Sequence, residues 1–71
     1  MYAVQITFPD TGNTYYIGRG YALVELEDAL NYDTVEHVEG AMKVMAAHTF
    51  SRVVNGRRIA CTNPKLTLAM V

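Results

Sequence analysis

Two histidines, one cysteine and two blocks of opposite charge are the groups in this 71-residue chain able to do chemistry or attract a charged partner. His37 and His48 would lie on nearly the same side of a helix, but at 1.5 Å per residue they would stand roughly 16 Å apart, too far to share a metal or a proton. Cys61 is the single cysteine, so no internal disulfide can form, and two histidines with one cysteine make a poor zinc set. No sequence signal lowers its pKa, and we read it as a buried structural thiol. Asp10, Gly12 and Asn13 lack both the spacing and the distal glutamate of a calcium loop. Gly18-Arg19-Gly20 is a lone GxG without a helix behind it, and reads as a flexible turn rather than a phosphate cradle. No nucleophile, acid/base pair or cofactor motif is present, so the sequence reads as a non-enzyme without metal or cofactor.

The charges carry more information. Residues 1–40 hold all seven acids, Asp10, Glu25, Glu27, Asp28, Asp33, Glu36 and Glu39, against Arg19 alone, a net −6. Residues 41–71 hold Lys43, Arg52, Arg57, Arg58 and Lys65 without an acid, a net +5, and the two halves sum to the overall −1. Such a split either pairs across the fold or meets partners of opposite sign. Two binding readings follow. In the first, Glu25, Glu27, Asp28, Asp33, Glu36 and Glu39 form a partner-binding surface that occupies a basic groove otherwise holding nucleic acid phosphates. In the alternative, Arg52, Arg57, Arg58 and Lys65 bind nucleic acid, with Tyr15, Tyr16 or Tyr21 for stacking. Four basic residues at a pI near 6.0 make a thin footprint for that role.

These groups must be positioned by a small α+β fold, one domain over 1–71. Tyr2, Val4, Ile6 and Phe8 alternate with Ala3, Gln5 and Thr7, the pattern of a half-buried strand. Pro9 to Asn13 supplies a longer hairpin loop, and Thr14–Ile17 returns as a second strand. Tyr21 to Leu26 is ambiguous between periods and is read as a short third strand, followed by an irregular bridge to Tyr32. A helix over about 34–49 then presents Val35, Val38, Ala41, Met42, Met45, Ala46 and Thr49 on one apolar arc. Asp33 is its expected N-cap, with Glu36 completing a capping box and Thr34 as the other candidate. Gly40 falls on its polar side, either tolerated there or marking a close approach. Asn55-Gly56 between Phe50–Val54 and Arg57–Cys61 is a type I′ hairpin signal. Thr62-Asn63-Pro64 is a turn, and Lys65–Met70 a last strand with Leu66, Leu68 and Met70 inward. The expected architecture is therefore an antiparallel sheet of four to six strands with one helix on one face, in the order ββ(β)αβββ.

So short a chain buries only about 60% of its unfolded surface, and small domains commonly add a second subunit. The sheet has two free edges, and either could pair with a second copy, giving a homodimer, or with another protein by strand addition. The N-terminal residues lack a basic region followed by a long apolar run, which reads as a cytoplasmic protein without signal peptide or membrane span.

The pattern Val4-x-Ile6, Gly12-x-Thr14-x-Tyr16-x-Gly18 and Asp28-Ala29-x-x-Tyr32-x-Thr34 resembles small accessory domains of bacteriophage and prophage genomes, some of them anti-CRISPR or other anti-defence inhibitors. The resemblance covers about half the chain and consists of turn and packing residues, so it carries over no functional residue. It implies a stoichiometric inhibitor of a bacterial protein or ribonucleoprotein complex, acting in the host cytoplasm, in agreement with the acidic-surface reading.

Overall fold

The structure, a computed structural model, describes residues 1–60 and 64–71, with the side chains of Arg52, Val54 and Ile59 left aside. The readings of Cys61 as a buried thiol and of a turn at Thr62-Asn63 fall outside the described residues. Six strands and one α-helix follow in the order β1 (Tyr2–Thr7), β2 (Thr14–Ile17), β3 (Leu23–Val24), α1 (Val35–Met45), β4 (Ser51–Val54), β5 (Arg57–Ala60) and β6 (Lys65–Met70). They form a four-stranded antiparallel sheet in the order β3-β2-β1-β6 and a separate β4-β5 hairpin. The fold is α+β, with the single helix packed on β1 and β6.

Turn chemistry sets the first hairpin. The Phe8 carbonyl accepts from the amides of Thr11 (3.3 Å) and Gly12 (2.7 Å), while the Phe8 amide donates to the Asn13 carbonyl at 3.0 Å. Gly12 takes φ +75°, a region that side-chain-bearing residues seldom visit. β1 then pairs with β2 through Ile6↔Tyr15 and with β6 through Ile6↔Leu66, so one face collects Val4, Ile6, Phe8, Tyr15, Ile17 and Leu66. That face is the core, closed by Val38 and Met45 from α1 and by Phe50 just beyond it. The opposite face is mixed: Thr7 and Thr14 hydroxyls stand 3.2 Å apart and Thr67 meets Gln5, while Ala3, expected on the outward side of a half-buried strand, is fully buried.

The helix departs from its expected bounds at both ends. Thr34, not Asp33, is the N-cap: its Oγ1 accepts from the His37 amide at 3.2 Å. This shift puts His37 rather than Glu36 at the third helical position, so no capping box forms. At the other end α1 stops at Met45, and Ala46–His48 form a turn in which the His48 amide donates to the Met45 carbonyl at 2.9 Å. The chain leaves the helix early because Phe50 must reach the core, where it is 2% exposed; Ala46 and Thr49, expected on the core arc, are exposed instead, as is Val35 in the first turn. Nothing lies within 4 Å of where a Gly40 side chain would stand. Gly40→Ala is therefore expected to raise stability by about 0.5–1 kcal/mol in urea unfolding, since alanine restricts the unfolded chain and favours helix.

Strand order explains a second departure. Leu68 and Met70 share the side of Val4 and Tyr2, as the alternation predicts, yet they are 37% and 81% exposed. β6 is the outer strand of the sheet, and the helix covers Leu66 but leaves the rest of that edge open. The third strand is only two residues long because Gly20 (φ +65°) and Tyr21 (φ +61°) take left-handed backbone just before it. For tyrosine that conformation costs roughly 1–2 kcal/mol.

Candidate partner-binding surface

Glu25 precedes a short 3-10 turn formed by Leu26–Asp28, and Glu36 and Glu39 project from α1. Glu25, Glu27, Asp28, Asp33, Glu36 and Glu39 are all exposed, beside the exposed apolar side chains of Leu26 and Val35. Among the described residues, Glu25, Glu27, Asp28, Glu36 and Glu39 form no ion pair with an arginine or lysine. The two charge blocks thus do not neutralise one another at these five positions. Exposed side chains of this kind act on a partner through long-range attraction that salt screens.

Asp33 differs from the other five. Its Oδ1 accepts from His37 Nδ1 at 2.9 Å, one helical turn away, with both groups on the surface. That side-chain hydrogen bond, joined by backbone donors at Asp33 and Thr34, holds the Asp33 carboxyl below its ordinary value. It is the acid already engaged within the chain, and the sequence grouping of six reduces to five open carboxylates.

The basic residues do not gather as one stripe. In the β4-β5 register Arg58 lies opposite Val53 and Arg57 opposite Val54, so Arg57 and Arg58 project from opposite faces of the hairpin. Lys65 belongs to β6 of the other sheet, and Lys43 to α1. Asn55 (φ +52°) and Gly56 (φ +77°) form the expected tight turn between them.

His48 lies beyond the helix and packs edge-on against Tyr21, with ring centroids 4.7 Å apart, and against Phe50 at 4.9 Å. His37 and His48 therefore sit in separate environments, one with a carboxylate and one with aromatic rings. No group of three or more histidine, cysteine, aspartate or glutamate side chains among the described residues is placed to hold a metal. Nor is any helix among them long and apolar enough to cross a membrane.

The sequence missed the aromatic cluster, because Tyr21, His48 and Phe50 converge only through the left-handed turn and the early end of α1. It also missed the apolar outer edge of β6, since alternation reports faces and not strand order. Compared with known proteins, the chain matches no family model, no curated protein and no solved structure.

Proposed function

We propose that this chain is a non-enzymatic binding module that sets Glu25, Glu27, Asp28, Glu36 and Glu39 against a basic, nucleic-acid-binding surface of a bacterial protein or ribonucleoprotein complex, and inhibits that complex by occupying the surface. One observation supports the reading above the others: five exposed carboxylates have no cationic partner among the described residues. A partner surface evolved to hold phosphates offers the arginines and lysines that such a set lacks, and steering by opposite charge speeds and orients the encounter. The resemblance of about half the chain to phage anti-defence proteins implies a stoichiometric inhibitor, which agrees with this reading. The test is affinity capture from bacterial lysate with the wild-type chain and with a Glu25→Lys, Glu36→Lys variant. The reading expects a defined complex captured by the wild type and lost with the variant. Capture of nucleic acid alone, released by salt and abolished by Arg57→Ala with Arg58→Ala, would reverse it.

Self-association belongs to the same reading. β6 is a six-residue outer strand whose Leu68 and Met70 side chains are exposed, with no proline or bulge to protect its free backbone groups. Two copies pairing antiparallel along β6 would extend the sheet across a two-fold axis and cover those side chains. Light scattering at high micromolar concentration is expected to give twice the 7.9 kDa chain mass. Leu68→Lys with Met70→Lys should return the mass of one chain.

A further inference from the structure

A groove of about 550 Å³ lies between the β2-β3 end of the sheet and the β4-β5 hairpin. Tyr15, Tyr21, His48 and Phe50 supply its aromatic lining, and Ser51 and Arg58 a polar end. These rings form a continuous cluster: Tyr21 to His48 at 4.7 Å, His48 to Phe50 at 4.9 Å and Tyr21 to Phe50 at 6.3 Å. Ser51, Val53 and Arg58 share one side of the hairpin by register, and that side faces the groove. The Arg58 guanidinium is exposed and reaches Ser51 Oγ only at 3.5 Å, so most of its donors remain open. No carboxylate is among the described residues that line the groove.

The backbone singles out the same place. Tyr21 takes φ +61°, a conformation that L side chains rarely adopt and that strained binding sites concentrate. The neighbouring Gly20 (φ +65°) has open space where a side chain would be. A sequence chosen for the turn alone would place glycine or asparagine at position 21. The tyrosine instead puts a ring at the mouth of the groove, over His48.

We infer that this groove binds a nucleoside monophosphate group, stacking the base on Tyr21 and His48, which the buried Phe50 ring supports from beneath, and directing the phosphate to Arg58. The volume lies within the range of small-ligand sites. Ring faces accept any base, and an open guanidinium beside a hydroxyl suits a phosphate oxygen pair. The same chemistry is offered by a free nucleotide or by the terminal nucleotide of a single strand. Among the described residues the site shares none with the carboxylate surface, and it does not depend on the role of that surface.

Amide NMR spectra of the full chain, titrated with adenosine 5′-monophosphate, adenosine and inorganic phosphate, test the inference. Saturable shifts confined to residues 20–23, 48–51 and 58 are expected with the nucleotide, weaker ones with the nucleoside and none with phosphate over the same range. Arg58→Gln should weaken the nucleotide roughly tenfold and leave adenosine unchanged. Tyr21→Gly relieves the left-handed strain, so the fold is retained while base stacking is lost, again roughly tenfold. A 5′-phosphorylated oligonucleotide binding more tightly than the mononucleotide assigns the site to a strand end, and equal binding to the free nucleotide. Equal shifts with inorganic phosphate, absence of saturable shifts, or unchanged binding by Tyr21→Gly would overturn the inference.

Discussion

Phe8→Ala is expected to lower the urea midpoint steeply by circular dichroism, by the equivalent of about 3–5 kcal/mol, up to complete loss of the cooperative transition. Phe8 is fully buried, and its ring packs on Tyr15 at a centroid distance of 5.9 Å. Truncating a buried phenylalanine costs about 3–5 kcal/mol, through lost transfer energy and the cavity left behind. At the usual stability per residue, a chain of this size holds only about 4–10 kcal/mol in total. The substitution therefore removes about a third of that margin at the least and all of it at the most. The loss also reaches the hairpin loop, because Thr11, Gly12 and Asn13 are tied to the Phe8 backbone, whose position the ring anchors. Leu68→Ala, at the open edge, is the control: its side chain is already 37% exposed, and the midpoint should move far less. A cooperative transition near the wild-type midpoint in Phe8→Ala would contradict the assignment of the core.

Charge reversal at Glu25 and Glu36 is expected to weaken binding to the captured complex by roughly 30-fold or more, mainly through a slower association rate. Each reversal removes an attraction and adds a repulsion, so the effect exceeds that of neutralisation to glutamine. Both side chains are exposed and outside every ion pair among the described residues, so the urea midpoint should stay where it is. Raising salt should weaken the wild type more steeply than the variant, as screening removes an attraction that the variant no longer has. Reversal at Asp33 should have the smallest effect of the six acids, because His37 already holds that carboxylate.

The sequence carried the parts of the fold that depend on neighbours in the chain. The loop after Phe8 and the turn at Asn55-Gly56 were legible because each needs particular residues at positive φ, and those residues are present. The inward face of β1 was legible from strict alternation, and Val38 and Met45 from helical spacing. The end of α1 was not, because it is decided by Phe50, a residue outside the helix that competes for the core. The exposure of Leu68 and Met70 was hidden for a related reason: periodicity places them on the core side but does not say that β6 is outermost. Among candidate site residues, the acids could be identified by type, while the pairing of Asp33 with His37 followed from where the cap fell. The Tyr21–His48–Phe50 groove joins residues far apart in the chain through a strained turn, and no local pattern announces it.

Carboxyl footprinting of the captured complex tests the central claim most directly. The free chain and the complex would be labelled with a carbodiimide and glycine ethyl ester, and the modified residues read by mass spectrometry. Protection on binding is expected at Glu25, Glu27, Asp28, Glu36 and Glu39. Equal labelling of those five carboxylates in the free and bound chain would contradict the account.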